Sequence, residues 1–252
     1  MGRPDPKSTI SFPQRLILQN RFLAEDTKSI LSSVLRFLAL RLRESRARIL
    51  HGHVVRKRRI HAFMAQALPK RLHFGAGSEI IPGFLNSDML GNLPINICRK
   101  LPFGDDQIDL IYTSHLVEHV HKEDFKFFLR ETRRILKPRG AHIIATPTIE
   151  KAATNVYGNG IDVLSTLMEP HRPFMQEDFL CPAHYLNHLM RWYDHKWLYD
   201  KCLISGLALE ADYSQVESVS NFDVPDADLR GHLIQTKDVV WDLETETFIL
   251  TK

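Results

Sequence analysis

The chain has 252 residues, 44% apolar and 25% charged, enough material for one sizeable buried core and a small appendage. Its three cysteines, Cys98, Cys181 and Cys202, are odd in number and far apart, which excludes a disulfide framework or a C-x-x-C metal knuckle and points to a reducing, cytoplasmic compartment. The net charge of +3 hides a division, because residues 1–71 carry 16 Lys/Arg against 4 Asp/Glu and residues 72–252 carry 17 against 26.

No run of 18 apolar residues occurs, so no membrane span is expected, and the polar, proline-punctuated residues 1–15 do not read as a secretion signal. Residues 14–50 place Leu31, Val34, Leu35, Leu38 and Leu42 at helical spacing, followed by Arg41, Arg43, Arg46 and Arg48, which predicts one or two amphipathic helices. "RKRR" at 56–59 completes a basic helical extension over residues 1–70. A basic arm ahead of an acidic body suits an anionic membrane surface, the acidic face of a partner protein, or the chain's own body. Without interleaved aromatics or a recognisable binding module, nucleic acid is disfavoured.

After Pro69, short apolar runs alternate with turns and helices, the pattern of a parallel α/β sheet over residues 71–252. "RLHFGAGS" reads as a strand ending in a glycine turn, "GFLNSDM" as a second short strand and "QIDLIYTS" as a third. "EDFKFFLRETRRILK" reads as an amphipathic helix closed by the turn "KPRG", and "AHIIATPT" as a strand from Ala141 that stops at Pro147. Residues 148–195 look like a loop-rich insertion. "DHKWLYDKCLISGLALEADYSQ" then reads as helix, glycine turn and strand, and "ETETFILTK" as a last strand.

Gly75 and Gly77 follow directly on the first strand, so the backbone there can turn tightly and approach a ligand with no side chain in the way. Asp88 falls at the end of the next strand, where an acidic side chain accepts hydrogen bonds from ribose hydroxyls. The spacing is shorter than the roughly 20 residues of the dinucleotide fingerprint, so the first crossover shrinks to a turn around "SEIIPG". A pyrophosphate cofactor, which relies on a helix N-terminus there, is disfavoured; a nucleoside without phosphates fits better.

"LHFGAGSEIIPGFLNSDM", "NICRKLPFGDDQIDLIYTSHLVEHV" and "FLRETRRILKPRGAHIIATPT" together resemble class I S-adenosylmethionine-dependent methyltransferases, in particular the small type 11-like branch often found with surface-polysaccharide biosynthesis genes. The resemblance covers residues 72–147. It implies a Rossmann-like α/β sheet with helices on both faces and S-adenosyl-L-methionine as cofactor. It implies that Phe74, Gly75, Ala76 and Gly77 lie beside the methionine and ribose parts, Asp88 on the ribose hydroxyls, Asn96 near the adenine amino group, and Ser114 and His115 at the reactive end. Asn96 stands where the family usually has Asp, and Ala76 where it usually has Cys.

The implied reaction is O-methylation of a hydroxyl on a glycan or small metabolite, for which a histidine near its ordinary pKa suits the general base. His115, His119 and His195 are the candidates. Two other readings stand beside it. The departures from the family pattern suit a non-catalytic scaffold that binds partners through its basic arm. The third is a zinc hydrolase, because His115, Glu118 and His119 read H-x-x-E-H, the inverted zinc-protease signature when carried on a helix. A protease also needs a third ligand and an open water position, and no spacing identifies that ligand, so no residue is assigned to a metal.

Overall fold

The structure, a computed structural model, describes residues 53–91, 93–158, 160–169, 181–220, 223–237 and 239–252. The helices expected over residues 14–50 lie outside them. The described end of the basic arm is helix α1 (His53–Met64), where Lys57, Arg58 and Arg59 are exposed while Ile60 and Phe63 turn inward.

Among the described residues, six strands form one sheet: β1 (Arg71–Phe74), β2 (Leu85–Ser87), β3 (Ile108–Ser114), β4 (Leu136–Pro147), β5 (Gln215–Val219) and β6 (Thr245–Thr251), in the order β2-β1-β3-β4-β6-β5. The first four strands are parallel, and β6 runs antiparallel to both β4 and β5. Strand β3 is buried on both faces, with only Asp109 partly open, as a central parallel strand covered by helices must be. No helix connects β1 to β2; the chain crosses by turns through residues 75–84, as the short spacing predicts.

Helix α2 (Lys122–Ile135) buries Phe125, Phe128, Leu129, Thr132 and Ile135, the spacing of one helical face, and with Ile204, Leu207 and Ala208 of α6 (Lys201–Glu210) it covers one side of the sheet. Each fully buried Phe or Leu there is worth roughly 1.5–3 kcal/mol. On the other side, Leu229 and Leu233 of α7 (Ala227–Thr236) pack on Tyr112 and Ile143. The expected Rossmann-like α/β architecture is the one observed.

Three local expectations are corrected. The described residues of 148–195 are largely helical, not loop-rich: α3 (Ile149–Gly158), α4 (Gly160–Met168) and α5 (Pro182–Arg191) enclose a separate core of Ala152, Val156, Leu164, Leu167, Met168, Tyr185 and Leu189. Gly206 makes no turn but sits inside α6, because Leu203, Ile204, Leu207 and Ala208 around it pack inward and outweigh the roughly 1 kcal/mol that a helical glycine costs. Strand β4 starts at Leu136 rather than Ala141, with "KPRG" absorbed as an irregularity at which Arg139 takes φ 67° and the pairing with β3 shifts register. Among the described residues, no helix is long and apolar enough to cross a membrane.

Candidate functional site

The sheet order reverses at β1: the chain leaves it outward to β2, then returns past it to β3. That reversal opens a crevice beyond the carboxyl ends of β1 and β3, where ligands bind in open α/β sheets. Gly75, Asp88 and Ser114 all fall there, each just after or at the end of its strand.

Gly75 has φ +72°, and a Cβ at that position would stand 2.9 Å from Leu116 Cδ1, so both backbone angle and space require glycine. Gly77 has φ +52° with open space around it. Its N–H donates to Asp88 Oδ2 at 3.1 Å, while Leu90 N–H donates to Oδ1 at 2.8 Å, so the half-buried carboxylate fixes the turn and keeps lone pairs to spare. Ala76 N–H donates to Ser87 O at 3.0 Å and its methyl is buried. Phe74 lies beneath the turn, 1% exposed and edge-on to Phe128, so it supports the loop from the core. Asn96 Oδ1 accepts the Cys98 N–H at 2.9 Å, leaving one lone pair free. Glu79, at the far side of the turn, is held by His232 Nε2 at 2.7 Å and Lys237 Nζ at 2.8 Å, which anchors α7 to the glycine loop.

The H-x-x-E-H segment is not a helix. His115 sits in the left-handed region (φ 47°), a strained position for a non-glycine residue, and Val117–His119 form a single 3-10 turn. Glu118 is fully buried; its Oε2 accepts from Thr146 Oγ1 at 3.0 Å, and burial pushes its carboxyl up to about 8. Oε1 stands 3.4 Å from His115 Nδ1 and 4.0 Å from His119 Nε2. His115 Nε2 pairs with Thr245 Oγ1 at 2.9 Å; burial, with Lys237, His195 and His119 nearby, lowers its pKa to about 4.

The Glu118 carbonyl accepts Lys196 N–H at 2.7 Å and Trp197 N–H at 3.3 Å, which draws the segment after α5 onto the turn. His195 thereby comes ring-to-ring with His119 at 4.9 Å. Burial lowers the pKa of both, helped at His119 by His195, so both are neutral near pH 7. All three candidate histidines line a cavity of about 520 Å³, walled further by Tyr185, His188, Leu189 and Tyr193 and by Val240, Trp241 and Glu244 of α8 (Val239–Glu244). Tyr185 OH donates to Glu244 Oε2 at 2.5 Å. Reading along the chain misses these wall residues, since α5 and α8 reach the cavity only through the fold. The exception is Tyr193, whose aromatic neighbourhood marks it as core or wall.

Residues 90–144 match the family model of a methyltransferase domain. No curated protein matches the chain at a significant level. Among solved structures, a SAM-dependent methyltransferase from Archaeoglobus fulgidus is 13% identical over 79% of this chain and 93% of that one, with a TM-score of 0.43. The CurJ carbon methyltransferase is 12% identical over 79% and 53%, with a TM-score of 0.41. Phosphoethanolamine N-methyltransferase 2 of Haemonchus contortus, in complex with S-adenosylhomocysteine, is 12% identical over 79% and 52%, with a TM-score of 0.36. Likeness of that size adds nothing to what the sheet itself establishes, and the chain spans about half the length of the last two. The family match, in contrast, runs through β3, the histidine turn, α2 and into β4, so the junction that carries Ser114, His115, Glu118 and His119 lies within the stretch that is similar to a methyltransferase domain.

Proposed function

We propose that the protein uses S-adenosylmethionine to O-methylate a hydroxyl of a glycan or small metabolite held in the histidine-walled cavity. The observation that carries this reading is a shared junction. The Gly75 turn packs on Leu116, and the adjoining His115 lines the cavity, so a nucleoside on the turn and an acceptor in the cavity meet at one place. The residues fit such a cofactor: two glycines at positive φ, open space at Gly77, and a carboxylate with free lone pairs at the end of β2.

When bound, the cofactor supplies a methyl group already activated on a sulfonium. The chain's part is to align the acceptor and exclude water, and alignment alone is worth roughly 7–11 kcal/mol. Neutral His119 and His195 can take the hydroxyl proton, an effect of roughly 10²–10⁴ in rate. Glu118, buried behind them, positions the rings. The glycan class of acceptor rests on the motif likeness to the polysaccharide-associated branch, and the three unpaired thiols support a reducing compartment.

Calorimetric titration with S-adenosylmethionine and S-adenosylhomocysteine tests the reading. Micromolar binding is expected in the parent, with a loss of at least tenfold in Asp88→Ala at unchanged circular dichroism. No binding by the folded parent would sink it.

A further inference from the structure

We propose that Glu118, His119 and His195 form a site for a divalent transition-metal ion of the zinc class, open to the cavity. The Glu118 and His119 ligands come from the 3-10 turn and the third from the segment after α5, joined by the Glu118 carbonyl's bonds to Lys196 and Trp197. One donor atom from each residue lies within 4.8 Å of the other two. Three points so spaced always have a common point within about 2.8 Å (4.8/√3), against metal bonds of roughly 2.0–2.2 Å, so an inward movement of well under 1 Å completes the site.

Each donor is already oriented from behind, as metal ligands are. His195 gives its Nδ1 hydrogen to the Leu189 carbonyl at 2.6 Å, leaving Nε2 with a free lone pair. Backbone groups of Tyr193 and Asp194 lie beside the His119 ring, whose Nε2 faces Glu118. Tyr193 and Asp194 are two consecutive residues with φ 55° and 63°, so the backbone beside the ring is strained. Glu118 has Oε2 tied to Thr146, while Oε1, fully buried, has no hydrogen-bond partner among the described residues. An ion that displaces the carboxyl proton would give that oxygen the partner it lacks.

Two imidazole nitrogens and one carboxylate oxygen on one side, with the cavity on the other, form the donor set of an open zinc site. Nitrogen donors argue against magnesium and calcium. His115 falls outside this group of donors: its Nε2 is engaged by Thr245 and its Nδ1 stands 3.4 Å from Glu118 Oε1. The ion site stands independently of methyl transfer. With the ion bound, the His119 and His195 lone pairs are no longer free to take a proton, and the ion would instead lower the pKa of a hydroxyl coordinated at the open positions; only that use rests on the methyl-transfer reading.

The test is titration of untagged, chelator-stripped full-length protein with Co²⁺, read by visible absorption, and with Zn²⁺, read by calorimetry. One ion per chain is expected, with visible bands of low-coordinate Co²⁺ at micromolar ion. His195→Gln and Glu118→Gln should each weaken binding at least tenfold. His195→Gln alters a half-buried side chain and leaves the fold intact by circular dichroism. Failure of the parent to bind, or binding unchanged in His195→Gln, would overturn the proposal. S-adenosylmethionine titration of the same metal-free sample reports on the cofactor separately, so either reading can fail alone.

Discussion

Gly75 and Gly77 look equivalent in the sequence, yet their surroundings set them apart. Alanine at either must adopt a positive φ, which costs roughly 1–2 kcal/mol. At Gly75 the new methyl also meets Leu116 at 2.9 Å, whereas at Gly77 it meets nothing. Gly75→Ala should therefore lose roughly 2–4 kcal/mol in urea unfolding and Gly77→Ala about half as much; equal losses would show that Leu116 yields freely. The same contrast marks what the sequence discloses. The residue types and strand ends that place Gly75, Asp88 and His115 at one crevice are visible in a short stretch of chain. The approach of His195 to His119 is made by backbone hydrogen bonds from residues 196 and 197 to residue 118, and no periodicity encodes it.

At the level of elements, the strongly periodic pieces were legible: β1, β2, β3, α2 and β6 fall where apolar spacing puts them. The insertion was not, although Leu164, Leu167 and Met168 keep helical spacing, because His, Tyr, Trp and Met around them blur the contrast between faces. Helix starts are fixed by side-chain caps. Asp200 caps α6 by accepting Leu203 N–H at 2.7 Å, and Asp226 caps α7 by accepting Leu229 N–H at 2.9 Å. Asp226 also pairs with Arg71 at 3.1 Å, tying α7 to β1. Alanine at Asp200 should cost about 0.5–2 kcal/mol and at Asp226 more, measured by thermal unfolding. If Asp226→Ala proves the milder change, α7 is held by Leu229 and Leu233 alone.

For the molecule as a whole, His142 sets a dependence of stability on acid. It is fully buried on β4 with Nε2 3.3 Å from Thr113 Oγ1, and burial lowers its pKa to about 3. The unfolded value is near 6.5, so below that pH the unfolded chain takes up a proton that the folded chain refuses. Its contribution is therefore complete above about pH 6.5 and is lost progressively toward about pH 3, at about 1.4 kcal/mol per pH unit. By urea unfolding, the stability of the parent relative to His142→Leu should fall by about 2 kcal/mol between pH 7.5 and pH 5. A difference independent of pH would mean that water or rearrangement lets the buried ring protonate.

The place of β6 has a consequence for the order of assembly. It follows every other strand in the chain, yet it lies between β4 and β5 in the sheet. While the polypeptide emerges from the ribosome, β4 therefore presents an unpaired edge, and β5 has nothing to join. Thr245, which holds His115, and Glu244, which holds Tyr185, arrive only with that final segment. The nascent chain can fold its glycine turn early, but it cannot complete the histidine-walled cavity until synthesis has passed β6.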